Sequence, residues 1–356
     1  MTTVSVHVRV VGTGLIGTSL GIALCRAGFR VTLSDPSPTA ARLARDLGAG
    51  EIADASTADP DLVVVAAPPD VAADVVVESL GRWPEAVVTD VASVKGSVAD
   101  AVRDGGGDLT RYVGSHPMAG RERSGAGAAR GDLFDGRAWV VVPTGTSRPD
   151  AVDLVRQVAT AVGAAVSVMG AAEHDAAVAV VSHVPQVAAS LVAGRLRDVS
   201  DPAVALAGQG LRDVTRIAAG DPSLWQQIVT ANAPAVSALL RQVRDDLDRL
   251  LDAVQAVDRG SIGTLLDRGV AGTVRLPGKH GGPARADTAL YVAVPDHPGE
   301  LARLLADAGE IGVNVEDLHI DHDPDRPVGL VELTVAEDRV EHLQTSLEGR
   351  GWTTHR

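Results

Sequence analysis

Three glycines near the amino terminus restrict the possible folds of this chain more than any other feature. Gly12, Gly14 and Gly17 follow an apolar stretch at residues 6–11 and accompany an apolar helical pattern at residues 16–27. A strand, a GxGxxG turn and a helix form the phosphate-binding corner of a dinucleotide-binding domain. The first glycine permits the tight turn, the second lets the backbone approach a pyrophosphate, and the third permits close helix–strand packing.

An acidic residue at the end of the next predicted strand indicates which dinucleotide binds. Leu15 and Ile16 open the predicted helix, where free N–H groups and the helix dipole favour an anion. Asp35 follows Gly17 by 18 residues and ends the strand. Its carboxylate can accept hydrogen bonds from a ribose hydroxyl and would repel a 2′-phosphate, which predicts NAD as the cofactor. The alternative is that Asp35 only starts a turn with Pro36.

Length and charge narrow the class of protein. A chain of 356 residues, 45% of them apolar, is long enough for two or three domains with real cores. The net charge of −14 argues against a nucleic-acid partner, because phosphate backbones require a basic surface. The single cysteine, Cys25, excludes an internal disulfide and fits a reducing compartment. No basic leader precedes the first strand, so we expect a cytoplasmic protein.

One apolar stretch, residues 176–193, needs separate interpretation. It contains His183, Pro185 and Gln186 and follows the polar run Glu173-His174-Asp175. Such residues are typical of a buried helix in a soluble protein rather than of a membrane span. We therefore expect no membrane association.

The first 170 residues alternate strand and helix patterns. This rhythm predicts an α/β, Rossmann-type domain with a mostly parallel sheet. The predicted strands are residues 6–11, 30–34, 62–66, 86–91, 112–114, 138–143 and 165–169, with helices such as 16–27 and 39–47 between them.

The rest of the chain divides into two further domains. Residues 171–275 predict an all-α domain, with helices at 171–196, 202–218, 222–257 and near 261–269. Residues 276–287 are rich in glycine and proline and predict a linker. Residues 288–356 predict a small α+β domain in the order β-α-β-β-α, with strands at 288–294, 313–320 and 329–335 and helices at 298–309 and 339–349.

Two strand ends in the first domain carry reactive side chains. Ser93 lies in the run 89–96 and His116 in the run 114–120. Ligands of open α/β sheets bind beyond the carboxyl ends of strands. Oxidation of an alcohol requires a base for the hydroxyl proton, and a histidine has a suitable pKa. Ser93 could hold the imidazole or the substrate hydroxyl. The alternative is that His116 is a surface histidine of a loop.

The helical domain adds two pairs of polar residues. His183 and Gln186 are three residues apart and share a helix face, as do Asp213 and Arg216. Arg216 could bind a carboxylate through two hydrogen bonds. The alternatives are a satisfied core histidine and a solvated ion pair.

Two other patterns are expected to carry no chemistry. Gly17-Thr18-Ser19-Leu20-Gly21 matches the GxSxG motif of hydrolases, but Ser19 lies inside the predicted helix rather than at its tip. The run His319-Ile320-Asp321-His322-Asp323 could suggest a metal site. A strand end with solvated polar residues is the preferred interpretation, so we predict no metal.

Five runs occur together in a recognisable order. They are Asp90–Gly96 (DVASVKG), His116–Gly120 (HPMAG), Val181–His183 (VSH), Arg212–Ala218 (RDVTRIA) and Asp221–Trp225 (DPSLW). From residue 4 to about 260 the chain resembles prephenate dehydrogenase and its close relative arogenate dehydrogenase. The resemblance implies NAD-dependent oxidative decarboxylation of prephenate to 4-hydroxyphenylpyruvate in tyrosine biosynthesis. Oxidation of arogenate to tyrosine is the alternative.

The resemblance also implies roles for individual residues. His116 accepts the ring hydroxyl proton with Ser93 hydrogen-bonded nearby, Arg216 binds a substrate carboxylate, and Asp213 is its neighbouring acid. Glu122 matches an acidic position at the substrate mouth. Trp225 matches a tryptophan that reaches the site from a dimer partner, which implies a homodimer through the helical domain.

Two departures from the family pattern concern the substrate. Gln186 stands where many members have a second histidine, and Arg121 stands where a small residue is common. Both positions are expected where the side chain of the substrate is recognised. Arg121 adds positive charge and favours the ketoacid, prephenate, whereas Gln186 fits either substrate.

The C-terminal segment resembles an ACT domain, an amino-acid-sensing module. The resemblance lies in Asp296-His297-Pro298-Gly299-Glu300-Leu301 and in Gly312-Val313-Asn314-Val315. In such modules the ligand lies between the strand-to-helix loop and a neighbouring module. Feedback inhibition by tyrosine is therefore a hypothesis that follows from this resemblance.

Two rival hypotheses remain. A hydroxyacid dehydrogenase of the same plan would use a lysine in its helical domain, and residues 171–275 contain none. A non-enzymatic NAD or amino-acid sensor would not need His116, Ser93 and Arg216 together.

Overall fold

The structure is a computed structural model that describes residues 6–120, 125–276, 287–321 and 328–356. Two compact units divide the chain after Asp248. The first unit contains the nucleotide-binding fold and most of the helical segment. The second contains the remaining helices and a small α+β fold.

A five-stranded parallel sheet forms the centre of the first unit, in the order β3-β2-β1-β4-β5. Its strands are β1 (His7–Val11), β2 (Arg30–Ser34), β3 (Glu51–Ile52), β4 (Leu62–Val65) and β5 (Val87–Asp90). The accompanying helices are α1 (Leu15–Arg26), α2 (Pro38–Asp46), α3 (Pro69–Arg82) and α4 (Gly96–Asp104). The valine-rich strands β4 and β5 are buried throughout, as expected for parallel strands covered on both faces. The predicted Rossmann-type fold is confirmed, and its strand order reverses between β1 and β4, where nucleotides bind in such sheets.

A three-stranded sheet continues from β5. It consists of β6 (Val113–Pro117), β7 (Ala138–Pro143) and β8 (Ala165–Val168), with α5 (Pro149–Ala161) between β7 and β8. A parallel bridge joins Val88 of β5 to Tyr112, whereas β6 and β7 are antiparallel. The sequence predicted the end of β6 at Gly114, but Ser115 and His116 continue the ladder opposite Val141 and Val140. His116 is therefore a buried strand residue, and its interpretation as a surface loop histidine is wrong.

Helices alone follow, as predicted, up to residue 276. They are α6 (Ala171–Val178), α7 (Val184–Arg195), α8 (Asp201–Val204), α9 (Gln209–Arg216), α10 (Pro222–Ala231), α11 (Ala233–Gln255) and α12 (Arg259–Thr273). A π-helical turn, Ala179–His183, joins α6 to α7. The single helix predicted for residues 222–257 is interrupted at Asn232, whose buried side chain is hydrogen-bonded to other elements.

The apolar stretch of α6 and α7 is less buried than the sequence suggested. Residues Ala171–Asp198 form a helix long and apolar enough to cross a membrane, and only 33% of its most apolar window is buried. Val180, Val181, Leu191 and Val192 are exposed in the single chain. The prediction of a buried helix is therefore wrong for one face of this segment.

The C-terminal fold is an antiparallel sheet with two helices. Its elements are β9 (Asp287–Pro295), α13 (Glu300–Ile311), β10 (Asp317–Asp321), β11 (Val328–Ala336), α14 (Glu337–Gly349) and β12 (Thr353–His355). The sheet order is β10-β11-β9-β12. Alternate residues of β9, including Leu290 and Val292, join helix residues such as Leu304 and Leu343 in one core. The predicted β-α-β-β-α order is extended by β12, which pairs with β9.

Candidate active site

The glycine corner is shaped to receive a dinucleotide. Gly12 has a φ of +98°, and a Cβ there would lie 2.4 Å from the carbonyl oxygen of Ala66. A Cβ on Gly17 would lie 1.9 Å from the carbonyl oxygen of Gly12, so these two positions exclude side chains. Gly14 has open space around it and caps α1 without a side-chain hydrogen bond. The first N–H groups of α1, including those of Leu15 and Ile16, are therefore suited to donate hydrogen bonds to an anion.

Asp35 organises this corner in addition to any role with a ribose. Its Oδ2 accepts hydrogen bonds from the backbone N–H and the hydroxyl of Thr13, at 2.6 and 2.8 Å. Its Oδ1 accepts the N–H of Ser37 at 2.8 Å. The carboxylate thus holds the glycine loop and the following turn together, and an adenosine ribose would share its remaining acceptor sites.

A chain of hydrogen bonds links two histidines and an aspartate at the end of β6. His116 Nδ1 lies 2.9 Å from His174 Nε2, and His174 Nδ1 lies 2.8 Å from Asp175 Oδ1. His174 is fully buried, and His116 is 8% exposed. Because β6 continues parallel to β5, its carboxyl end lies at the same edge of the sheet as the glycine corner. We call His116, His174 and Asp175 the relay.

The relay fixes which nitrogen of His116 can accept a proton. A carboxylate only accepts hydrogen bonds, so His174 donates from Nδ1 to Asp175. In this tautomer His174 accepts at Nε2, and His116 donates from Nδ1. The lone pair of His116 is consequently on Nε2, and no hydrogen bond joins this atom to another residue in the described part of the chain. This is the tautomer that a general base requires.

The surroundings keep His116 neutral. Burial lowers its pKa well below the ordinary value of 6.5, and the electrostatic influences of Lys95, His174 and His183 act in the same direction. At neutral pH the imidazole is therefore unprotonated and available as a base.

Asp175 is held as an anion at the other end of the relay. Burial alone would raise its pKa, but hydrogen bonds from His174 and from the N–H groups of Lys95 and Gly96 lower it below the ordinary value. The two N–H groups lie 2.9 and 2.8 Å from its carboxylate oxygens, at the start of α4. Asp175 of α6 thus caps α4, which places a carboxylate at the favourable end of the helix dipole.

A second buried network lies beside the relay. The ammonium of Lys95 forms an ion pair with Asp90, and Tyr112 donates its hydroxyl proton to Asp90 Oδ2 at 2.7 Å. Burial and the nearby Asp90 charge raise the pKa of Tyr112 well above 10.0. All three side chains are essentially inaccessible to solvent, and the tyrosine is a neutral donor.

His183 enters the site through the π-helical turn. Asn232 Nδ2 donates to the backbone oxygen of Asp175 at 2.8 Å and to His183 Nδ1 at 3.1 Å. His183 therefore carries its proton on Nε2, and burial lowers its pKa. The ring of Trp225 meets that of His183 edge-on with centroids 6.2 Å apart. Within one chain, Trp225 already contacts the predicted site, whereas the resemblance implied that it arrives from a partner.

The other predicted site residues are more dispersed. Gln186 is buried one turn beyond His183. Asp213 and Arg216 lie on α9, where Asp213 accepts a hydrogen bond from Gln209 at 2.9 Å. Ser93 lies between β5 and α4, and no hydrogen bond joins it to His116 within the described residues. Arg121 and Glu122 lie outside the described residues.

Sequence reasoning missed His174, Asp175 and Asn232. His174 and Asp175 stand at the start of an otherwise apolar helix, directly after the last strand of the sheet. A polar pair in that position was the available signal, because charged residues are rarely buried without a partner. Asn232 carried no signal beyond its place between two helical patterns. Among the described residues, no cluster of three or more histidine, cysteine or acidic side chains could hold a metal ion.

The fold and site together define a nicotinamide-dependent dehydrogenase, because a dinucleotide corner and an oriented neutral base share one edge of the sheet. The family model described as the prephenate dehydrogenase nucleotide-binding domain matches residues 20–168. The model described as the prephenate dehydrogenase dimerization domain matches residues 170–267. The chain belongs to the prephenate dehydrogenase family of NAD-dependent oxidoreductases.

Individual relatives agree with this placement. The chain is 38% identical to a probable prephenate dehydrogenase, NovF of Streptomyces niveus, over 96% of its own length and 98% of the relative's. A crystal structure of prephenate dehydrogenase from A. aeolicus with hydroxyphenyl propionate and NAD+ is similar with a TM-score of 0.68 and 28% identity, over 77% of this chain and 99% of that one. Arogenate dehydrogenase from Synechocystis is similar with a TM-score of 0.65 and 27% identity, over 75% and 98% of the two chains.

Proposed function

We propose that this protein catalyses the NAD-dependent oxidative decarboxylation of prephenate to 4-hydroxyphenylpyruvate and CO2. The observation that carries the proposal is the relay, which leaves His116 Nε2 unprotonated at the edge of the sheet where the glycine corner lies. The resemblance to prephenate dehydrogenases over nearly the whole chain supports the choice of substrate.

In this proposal His116 takes the proton of the ring hydroxyl at Nε2. The imidazolium that forms is stabilised through its Nδ1–H bond to His174 and by the carboxylate of Asp175. Loss of CO2 then makes the ring aromatic, and His116 returns its proton to the phenolic oxygen, so the base is regenerated in each turnover. Ser93 is assigned to the substrate hydroxyl, because the relay already occupies Nδ1 of the imidazole.

Bound NAD+ supplies the hydride acceptor. The glycine corner would hold its pyrophosphate on the N–H groups of Leu15 and Ile16. Asp35 would accept a ribose hydroxyl, and the carboxylate, with no arginine among the next three residues, disfavours a 2′-phosphate. Arg216 is proposed to bind a carboxylate of the substrate. The other residues proposed to surround the substrate are Asp213, Glu122, His183, Gln186 and Arg121.

The protein is proposed to act as a homodimer through its helical segment. Exposed leucine and valine side chains on α7, α11 and α12 support this, because exposed apolar residues are typical of surfaces that contact another protein. The dimerization model that matches residues 170–267 covers α7, α11 and the first part of α12. A partner would then cover the apolar face of α6 and α7.

The C-terminal fold is proposed to bind tyrosine as an inhibitor. A cavity of about 160 Å³ lies at its strand-to-helix loop, lined by residues that include Asp296, His297 and Leu301. Ligand pockets usually enclose about 300–1,000 Å³, so this cavity needs a second surface to enclose an amino acid. A neighbouring copy of the same fold would provide it, which agrees with the ACT-domain resemblance.

The substrate is tested by following NADH formation with prephenate and with arogenate. We expect turnover of prephenate with 4-hydroxyphenylpyruvate and CO2 in equal amounts. Activity on arogenate alone, with tyrosine as product, would contradict the proposed substrate.

The base is tested by replacing His116 with Asn, which keeps a polar side chain but removes the basic nitrogen. We expect kcat to fall by about 10²–10⁴, the usual contribution of a general base. His355→Asn, on the exposed strand β12, is the matched control and should have normal kcat. Unchanged turnover in His116→Asn would remove the assignment.

The effector site is tested by filling the cavity with Leu301→Trp. Inhibition by tyrosine should be lost while turnover without tyrosine stays normal. Leu305→Trp, one turn further along α13 and outside the cavity lining, should leave inhibition intact. Equal inhibition of both variants would place tyrosine elsewhere.

A further inference from the structure

Lys95 is the buried charge that the proposed chemistry does not use. It lies between β5 and α4, and only 1% of its side chain is exposed. Burial of an ammonium costs free energy, and burial lowers the pKa of Lys95 while Asp90 and Asp175 oppose this shift. A buried ammonium requires compensating contacts. The contacts of Lys95 involve Asp175 of the relay and the residue before His116.

The side chain of Lys95 holds the peptide that precedes the base. Its Nζ donates a hydrogen bond of 2.7 Å to the backbone oxygen of Ser115, the residue directly before His116. Asp90, which pairs with the ammonium, also accepts the Tyr112 hydroxyl, so the ammonium is fixed from a second side. The Lys95 ammonium therefore contacts the peptide from which the His116 side chain leaves β6.

The backbone of Lys95 holds the opposite end of the relay. Its N–H donates to Asp175 Oδ1 at 2.9 Å, the same oxygen that accepts from His174 at 2.8 Å. One residue thus contacts both the peptide before His116 and the carboxylate that ends the hydrogen-bond chain.

We propose that Lys95 is a positioning residue for His116, fixing the peptide before the imidazole with its ammonium and the Asp175 carboxylate with its backbone N–H. The proposal rests on the role of His116 proposed above. Because Lys95 is almost fully buried, it acts through the relay and not by contact with substrate.

The ammonium also has an electrostatic consequence for His116. The charged or titratable groups around this imidazole come from several elements: Asp90 and Lys95 beside β5, His174 and Asp175 of α6, and His183 of the π-helical turn. The positive charge of Lys95 disfavours protonation of His116 and lowers its pKa. Removal of that charge should raise the pKa of His116, and the acidic limb of kcat/KM should move to higher pH.

The test compares Lys95→Met with the double variant Asp90→Asn/Lys95→Met. The single variant leaves the Asp90 carboxylate buried without its partner, which can prevent folding. The double variant removes this carboxylate as well, so we expect it to fold. For either variant we expect kcat to fall at least about tenfold, by analogy with the loss of about 10–100-fold when residues that orient metal ligands are replaced. The KM for NAD+ should stay within about twofold. Titration of histidine-labelled protein by NMR should show the same upward shift of the His116 pKa as the kinetic limb.

Arg111→Met is the matched control. Arg111 is a buried cation of the same fold that donates to the backbone oxygens of Leu80, Trp83 and Ala86, away from the relay. The variant Arg111→Met should lower the stability of the protein without moving the acidic limb of kcat/KM. An unchanged His116 pKa in the NMR titration of the folded Lys95 variants, or an equal shift in Arg111→Met, would overturn the proposal. An NMR shift without a kinetic shift would support the role of Lys95 and instead contradict His116 as the base.

Discussion

The nucleotide-binding part and the helical part of this chain satisfy their apolar residues in different ways. Strands β4 and β5 are buried along their whole length within one chain. Helices α8, α9 and α12 contain no buried residue, and Leu191 of α7 is 62% exposed. The described strands of the first part are covered within one chain, whereas the proposed homodimer would cover the exposed apolar residues of the second. Cofactor binding should therefore survive changes that abolish assembly.

The largest effect is expected in the nucleotide-binding part, where the backbone leaves no free space. Gly17→Ala would place a Cβ 1.9 Å from the Gly12 oxygen, which belongs to the backbone and cannot move aside. We expect a loss of stability of about 3 kcal/mol, the upper end of the usual range for overpacking, and no measurable NAD binding. Thermal denaturation and cofactor titration measure both. Gly14→Ala, with open space at its Cβ, should fold normally and lose only affinity for NAD. Equal stability of the two variants would contradict the packing argument.

A smaller but specific effect is expected from a charge on the exposed helical face. Leu191→Glu should weaken dimerisation by about a hundredfold, equivalent to about 2.7 kcal/mol, because a carboxylate would be buried against the partner. Light scattering over a dilution series measures this. Leu43→Glu on α2 is equally a surface change, at a residue 43% exposed, and should leave the dimer intact. Dimers of normal affinity in Leu191→Glu would show that another face is covered.

The pH dependence of stability should also differ between regions. Burial lowers the pKa values of His7, His116 and His183, all in the first unit, below 6.5. In the unfolded chain these groups bind protons more readily, so stability is complete above about pH 6.5 and falls as the pH decreases below it. Each contributes at most about 1.4 kcal/mol per pH unit. Denaturation midpoints at several pH values should show a smaller slope in His116→Gln. An unchanged slope would mean that His116 is protonated in the folded state.

The smallest effect is expected from helix caps. The Ser37 hydroxyl accepts the N–H of Ala40 at the start of α2, and Asp221 accepts that of Ser223 at the start of α10. Replacement of either by Ala should cost about 1 kcal/mol. Only Asp221→Ala should also raise the KM for substrate, because α10 carries Trp225 against His183. Steady-state kinetics beside denaturation curves distinguish the two. A raised KM in Ser37→Ala as well would indicate a general effect of stability on the site.

Much of this fold is determined by local pattern and was therefore predictable. β2 and β7 have the predicted bounds, β1 and β4 differ from prediction by one residue at one end, and β5 differs by one residue at each end. The glycine corner was predictable because its steric requirements lie within a few consecutive residues. The β3 and β12 strands were missed, since strands of two or three residues carry too little pattern to detect.

The relay could not be predicted in the same way. His116 and His174 are 58 residues apart, and their contact depends on the register of β6 and on where α6 begins. The end of β6 was missed because Ser115, His116 and Pro117 do not resemble a strand, and only pairing with β7 makes them one. The burial of α6 and α7 was overestimated because apolar composition alone does not show which face of a helix is covered within one chain.

The double use of Asp175 has a consequence for the life of the protein before it is fully assembled. The same carboxylate closes the first turn of α4 in the nucleotide-binding part and ends the relay from α6 in the helical part. A nascent chain whose helices have not yet docked could bind its dinucleotide but would lack an oriented base. Such a chain would be unable to carry out premature redox chemistry. Turnover thus becomes a reporter of completed folding, because a single acid must satisfy both parts at once.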